Sequence, residues 1–507
     1  MADTCVLGVD CGTQSLRAAV YRADGTQLAQ ASRPYPTRCA RVNWAEQDPR
    51  DWWDALCGAV PDCLARAGVS GRDVAAIACD GTSFTGVFCR EDGTPLRPAI
   101  LWMDLRAAEE ARRVEATQHA VLDYCGRHIS AEWLLPKALW VRDHEPEVFD
   151  EAARIVEGAD WLVHRLTGRW VTSTGNAAGK RHWTPDGRWP EDLYEAVGLD
   201  GLARKSPDEV RYVGEPAGAL LSDAAAALGL SADCIVAHAG MDGWTAPIGK
   251  DCFAPGCASL TLGTSTVVIV ETDKPALIDG AMGPFPEGIR RGYSVYEAGQ
   301  TSGGSTIGWY LGLVGAANDA AAYARLEEEA RRIPPGAEGL VVFDAWRGNR
   351  TPYFDPGARG VIAGLTLEHS PAHLYRAILE GCALAVRNVL ETLAGGGRAV
   401  REIRACGTGA GNGLWVDIIA TATGCPILVS HEKQATCLGS AICAAVACGA
   451  HEDLESAAAA MATPFETVTP SSGIDVYDGL FESYLETYRQ VRPIVARLSQ
   501  PKGEQAS

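Results

Sequence analysis

Three short stretches hold residue types that could do chemistry together. In "VDCGTQS", residues 9–15, Asp10 closes an apolar run just before Gly12 and Thr13. In "LTLGTST", residues 260–266, the Gly-Thr pair returns as Gly263 and Thr264, but apolar residues around Leu262 stand where the first copy has its acid. In "AHAGMDGW", residues 237–244, Asp242 lies between Gly240 and Gly243. Glycine lets a backbone turn approach a ligand closely. Successive turn N–H groups make a concavity that suits an anion, and Thr13, Gln14 and Ser15 add donors. A carboxylate beside a phosphate is repulsive unless a divalent cation lies between them, which points to Mg²⁺ on Asp10. Two cradles can hold the two ends of one polyphosphate across a cleft, and a single metal carboxylate then suffices. Asp242, with small neighbours that leave room for a substrate, is the candidate general base. This combination points to a nucleotide-dependent kinase or ATPase.

Other segments carry weaker signals. "ACGTGAGNGLW", residues 405–415, is a glycine-rich loop opening a helix; it lacks the dinucleotide fingerprint and suits a flat purine ring. "SFTG" (83–86), "WMDLRA" (102–107), "NAAGKRHW" (176–183) and "YEAGQTSGGSTIGW" (296–309) place polar residues among small or apolar ones. Their charged members are Asp104, Arg106, Lys180 and Glu297. By residue type alone these four fit solvated or ion-paired structural roles at least as well as ligand contacts. Asp242 by itself also fits an ordinary loop aspartate.

The elements that must position these groups follow from pattern. A hairpin spans 5–22, with its turn expected at Ala23-Asp24-Gly25. A helix opens at Asp48-Pro49 and closes at Gly68, with Pro61 expected to kink or divide it. "VAAIACDGTSF" reads as a buried strand, and "GVFCREDGTPLRPAILW" as two strands around an Asp-Gly turn. Residues 104–168 read as helical, and Ile235–His238 as a buried strand ending in glycine. From 257 the opening hairpin recurs, and helices dominate to about 498. Strands mixed with long helices mean α/β layers. The repeat divides the chain into units of residues 1–247 and 257–500, and the final "PKGEQAS" reads as a frayed tail.

Composition narrows the class. At 507 residues the chain needs more than one core. A net charge of −19 argues against a general nucleic-acid binder. No apolar run approaches a membrane span, and the N-terminus shows no signal-peptide pattern. Seventeen cysteines without CxxC or Cys/His spacing read as small buried hydrophobes in a reducing cytoplasm. The ten histidines show no ligand pairing.

Taken in order, "VDCGT", "WAEQDPRDWW", "LWMDLRA", "GMDG", "LTLGTST", "GNRTPYFDPGARGVIAGL", "CGTGAGNGLW" and "QATCLGSAICAAVACG" resemble the FGGY carbohydrate kinases, within the actin, Hsp70 and sugar-kinase superfamily. The resemblance runs from Val6 to about Leu498. It implies two ribonuclease-H-like α/β domains flanking a deep cleft, with ATP and Mg²⁺ mainly against the second and a sugar against the first. It implies Asp242 as catalytic base and Asp10 as the acid that organises the metal. Gly12, Thr13 and Gln14 would form the first phosphate loop and Gly263 and Thr264 the second, with Gly303, Thr306, Gly409, Ala410 and Asn412 in nucleotide-binding segments. "GNRTPYFDP", "NAAGK" and "YEAGQ" are similar to ribulokinase-like ketopentose kinases, in which Lys180, Glu297 and the stretch Phe84, Thr85, Gly86 would meet the sugar, with Asp104 nearby. Typical xylulokinases carry Met-His where this chain has Phe84-Thr85. The implied activity is transfer of phosphate to the terminal hydroxyl of a ketopentose. The alternatives are kinases of ribitol, erythritol, fuculose or glycerol, or an ATPase binding module. Homodimers are common in the family.

Overall fold

The structure, a computed structural model, describes residues 4–498 apart from 431 and 433; the side chain of Lys180 and the tail "PKGEQAS" lie outside that description. Two α/β units follow one another. The first is built on β1 (Cys5–Cys11), β2 (Ser15–Arg22), β3 (Gln27–Pro34), β4 (Val74–Gly81), β5 (Pro216–Ala219) and β6 (Ile235–Met241), in sheet order β5-β6-β4-β1-β2-β3. The second is built on β7 (Cys257–Leu262), β8 (Thr266–Thr272), β9 (Met282–Pro286), β10 (Ser294–Gln300), β11 (Glu402–Cys406), β12 (Ile427–Ser430) and β13 (Phe465–Val468), in order β9-β10-β8-β7-β11-β12-β13.

The two sheets share one plan. A meander of antiparallel strands (β1-β2-β3; β7-β8-β10) continues through strands parallel to the first (β4 and β6; β11 and β12). The first strand is buried along its whole length and apolar but for Asp10, as expected of a strand covered on both faces. Among the helices, α1 (Pro49–Ala67), α2 (Leu134–His144), α3 (Gly158–Thr167), α4 (Thr174–Arg181) and α5 (Asp242–Gly249) belong to the first unit. Next come α6 (Gly304–Leu313), α7 (Pro371–Gly395), α8 (Gly413–Thr423), α9 (Ala435–Ala447) and α10 (Leu454–Met461).

Several local expectations need correction. The first hairpin turns at residues 12–14, and Asp24-Gly25 instead joins β2 to β3. Pro61 does not divide α1, which runs unbroken from an Asp48 cap to a left-handed Gly68. Within 104–168 the strand Arg154–Glu157 interrupts the helices and pairs with Gly86–Cys89. The two glycine-threonine turns also differ in length. Cys11 faces Leu16 across the first and Leu262 faces Thr266 across the second, so the repeat offset changes from 251 to 250 through the turn. The residue equivalent to Asp10 is therefore Thr261 rather than Leu262.

The boundary in sequence is not a boundary in space. Helices α9 and α10 come late in the chain, yet Cys437, Leu438, Ala441, Ile442, Ala457 and Met461 join the core formed by Val6, Ala19 and Ala78. Three glycines make the approach of α9 possible. A Cβ at Gly8 would meet the Cys437 carbonyl oxygen at 2.0 Å, one at Gly249 the Ala435 oxygen at 1.9 Å, and one at Gly439 the Thr245 oxygen at 2.2 Å. Backbone cannot yield as a flexible side chain can. Gly8→Ala is expected to cost about 1–3 kcal/mol of stability through overpacking. Gly479→Ala, at a helical position with nothing within 4 Å, is expected not to lower it. Thermal melting of the two variants checks this, and equal melting temperatures would contradict the packing account.

Candidate active site

At the end of β1, Asp10 is 2% exposed, and its Oδ2 accepts a hydrogen bond from Arg17 Nη1 at 2.7 Å. Arg17 is its cross-strand partner on β2, so the hairpin itself supplies the ion pair. On the other side, β4 runs parallel with Asp80 in register with Asp10. Asp80 is fully buried; Ser440 Oγ of α9 donates to its Oδ2 at 2.6 Å, while its Oδ1 is buried without a donor. Burial and the neighbouring Asp10 charge push Asp80 well above the carboxylate range. Burial raises Asp10 too, but Arg17 opposes it. Of the two, Asp80 therefore holds the proton.

Asp242 is the first residue of α5, directly after β6. Its Oδ1 accepts from Ser83 Oγ at 2.9 Å, Ser83 N at 3.3 Å and its neighbour Gly243 N at 2.7 Å. Burial and the Asp10 charge raise it to about 6, and the bonds from Ser83 and Gly243 hold it from rising further. A carboxylate titrating near 6 is ionised at neutral pH yet basic enough to accept a proton.

The first Gly-Thr turn is held from the side. Thr13 Oγ1 accepts from Trp102 Nε1 at 3.0 Å, and the Thr13 carbonyl accepts from Gln47 Nε2 at 2.6 Å. Gln14 at its tip is exposed. The Gly12 amide is spent on the Ser15 carbonyl and the Gly263 amide on the Ser265 carbonyl, so neither glycine N–H is available to a ligand. Neither glycine has positive φ, so what each supplies is a bare face rather than a special backbone angle.

The second turn sits on a helix start. Gly303 N and Ser305 Oγ both donate to the Thr264 carbonyl at 2.9 Å, and Gly304 N donates to the Gly263 carbonyl at 2.9 Å. A Cβ at Gly303 would lie 2.5 Å from Thr266 Oγ1, so only glycine fits there. This sets the start of α6 beside Thr264, with the Gly304, Ser305 and Thr306 N–H groups bonded to the Gly263, Thr264 and Gly303 carbonyls. Thr306 Oγ1 in its first turn is buried without a partner. The glycine-rich loop closes on the same strand end: a Cβ at Gly407 or Gly409 would meet the Leu262 carbonyl oxygen at 2.5 or 3.0 Å. Ala410 is buried in that loop. Asn412 caps α8 by accepting from Trp415 N at 3.0 Å and donates to Tyr375 Oη at 2.8 Å. Gly263, Thr264, Gly303, Thr306, Gly409, Ala410 and Asn412 thus gather around one strand end.

The expected sugar-facing residues divide. In "SFTG" it is Ser83 that reaches Asp242. Phe84 is buried with φ 60°. Thr85 is fully buried with its hydroxyl 2.7 Å from that of Thr82, and Gly86 faces Leu134 where a Cβ would stand 2.7 Å away. Thr85 and Gly86 are thus interior props and not exposed contacts. Asp104 needs the same correction. It is fully buried and receives Ala45 N at 2.7 Å, Arg106 N at 3.0 Å and Arg106 Nη2 at 2.6 Å, so its carboxylate anchors a loop. Glu297 on β10 accepts from Trp244 Nε1 at 2.9 Å, which brings the second unit against α5 two residues beyond Asp242. Lys180 lies on α4, where a Cβ at neighbouring Gly179 would be 3.2 Å from the Trp244 ring; its own side chain is outside the described residues.

Residue-type reasoning missed Asp80, Ser83, Arg17 and Ser440. One signal was present: "ACDGTS" ends a strand with Asp-Gly-Thr much as "VDCGT" does. Among the described residues no group of three or more His, Cys, Asp or Glu forms a metal cage. Mg²⁺ is commonly held by one or two carboxylates plus phosphate and water. Asp10, the carboxylate of the pair that Arg17 favours in its charged form, is the hard oxygen donor such a cation would take. No described helix is long and apolar enough to cross a membrane.

Residues 5–249 match the N-terminal domain, and residues 258–448 the C-terminal domain, of the FGGY family of carbohydrate kinases. The chain is 32% identical to a ribulokinase of Mycolicibacterium smegmatis, over 97% of this chain and 95% of that one. It is 28% identical to a xylulose kinase of Bacillus subtilis, covering 96% and 97%. The crystal structure of a xylulose kinase from Rhodospirillum rubrum superposes with a TM-score of 0.88 at 27% identity, covering 97% of this chain and 99% of that one. With both domains matched in order across nearly the whole length, the chain belongs to the FGGY family of carbohydrate kinases, a phosphotransferase family with alcohol acceptors.

Proposed function

We propose that this kinase transfers the γ-phosphoryl group of ATP to the terminal hydroxyl of a ketopentose of the ribulose or xylulose class, in the cytoplasm. The observation that carries the reading is Asp242: a carboxylate at a helix start, aimed by Ser83, raised to about 6 and set beside the Asp10–Asp80 pair. The relatives named ribulokinase and xylulose kinase support the substrate class.

The residues divide the work. The hydroxyl oxygen attacks the γ-phosphorus, Asp242 takes its proton, and ADP leaves with the electron pair of the broken P–O bond. Thr13 and Gln14 on one turn, and Thr264 on the other, would meet the phosphates through their side chains. The loop of Gly409, Ala410 and Asn412 would meet the base. Glu297 and Lys180 would orient the sugar, with Phe84 close to its chain. Asp10, with Asp80 behind it, would hold Mg²⁺, which when bound neutralises charge on the transferring group. Excluding water is essential, because water would otherwise compete as acceptor.

A screen of ADP release with ribulose, xylulose, ribitol, erythritol, fuculose and glycerol tests the substrate class; the expected preference is for a ketopentose, and a clear preference for glycerol overturns it. Asp242→Asn is expected to lower kcat by about 10²–10⁴-fold with ATP binding near normal. For the parent enzyme kcat/KM should fall as pH drops below about 6, because the base works only when ionised and its pKa lies above the ordinary carboxylate value. A profile flat down to pH 5, or turnover retained in Asp242→Asn, contradicts this role. Asp10→Asn should damage Mg²⁺-dependent turnover far more than sugar affinity, measured as kcat against the sugar Kd.

A further inference from the structure

Lys137, on α2, is fully buried, a rare place for a lysine. Its Nζ donates to two backbone carbonyls, Phe84 O and Leu101 O, both at 2.7 Å. Glu157, Asp104 and Glu132 face it favourably and Arg106 unfavourably, while burial pushes it down to about 7. Charged or neutral, the amine keeps enough N–H groups for both bonds.

The two carbonyls belong to the two loops that end in the site. Phe84 follows Ser83, whose hydroxyl and N–H hold Asp242. Phe84 has φ 60°, an unfavourable angle for a residue with a ring, so this loop needs external restraint. The next carbonyl, Thr85 O, is fixed by Gly158 N of α3 at 3.0 Å. Leu101 precedes Trp102, whose indole N–H holds Thr13 of the first phosphate turn. Leu101 O also receives Asp104 N at 3.1 Å, the start of the Asp104–Arg106 anchor.

We infer that Lys137 is a positioning residue that ties the loop aiming Asp242 and the loop bracing Thr13 to one buried amine, so that the base and the first phosphate turn keep a fixed separation. This rests on the reading of Asp242 as the base. It gives a reason for an expensive buried lysine that touches neither unit's ligand groups directly. A loosened link should leave ground-state binding nearly intact and reduce transfer, because small misplacements cost rate more than affinity.

The test is steady-state kinetics on Lys137→Met, Lys137→Arg and Asp242→Asn in the full chain, with circular dichroism to confirm folding. Folded Lys137→Met is expected to lose at least about tenfold in kcat with KM for ATP and sugar within about threefold. Lys137→Arg, which keeps donors but not their reach, is expected to fall between it and the parent. Parental kcat in Lys137→Met, or a loss carried by KM alone, overturns the inference. Should the methionine variant not fold, the arginine variant decides: lowered kcat at unchanged KM supports the inference and parental kcat overturns it. Parental turnover in Asp242→Asn removes the base reading and the inference with it. An inactive Asp242→Asn beside a fully active Lys137→Met removes the inference alone.

Discussion

The seating of α9 on the first sheet is the contact on which the rest of the molecule depends. It is made by glycines where a Cβ would lie only 1.9–2.2 Å from backbone oxygen, far inside any allowed contact, on β1, on α5 and on α9 itself. Because those glycines allow it, a segment more than 350 residues downstream reaches the strand ends that carry Asp10 and Asp80, and Ser440 hydrogen-bonds Asp80. The same helix packs along α5, which begins with Asp242. Asp10, Asp80, Asp242 and the late part of the second unit are thereby locked into one arrangement by van der Waals contact rather than by charge.

Within that arrangement, charge is managed unequally in the two halves. The first turn holds Asp10 opposite Arg17, and the second holds Thr261 opposite Val267. Both members of the ion pair are missing from the second copy, not the acid alone. Where Asp80 continues the first site, Cys406 stands in register with Thr261. A second set of buried carboxylates would carry its own desolvation cost and repel phosphate. The second half instead presents threonine hydroxyls and bare glycine faces.

Polar residues in a buried setting took two routes that residue type alone does not separate. Asp104 and Lys137 are both fully buried and both spend their polar atoms on holding loops. Ser83, less conspicuous in the sequence, is the one that touches Asp242. The difference lies in which way each side chain faces relative to strand and loop, and that is settled by packing of α2 and α3 against residues 82–104.

The sequence by itself determined the duplicated α/β plan, the glycine-threonine turns, the strand before Asp242 and the family, because these rest on local periodicity and on motif order. Capping and turn chemistry were legible too, as at Asp48 and Gly68. Only the tertiary structure decided that α9 and α10 leave the second unit for the first core, that Asp80 is the partner of Asp10, and that Thr85, Gly86 and Asp104 are interior. Each of these depends on strands or helices distant in the chain meeting in register, and hydrophobic patterning says that a face is buried without saying against what. Which turn closes the first hairpin was decided for a related reason: a Gly-Thr turn and an Asp-Gly turn twelve residues apart are both good local turns, and strand pairing shows that each closes a hairpin of its own.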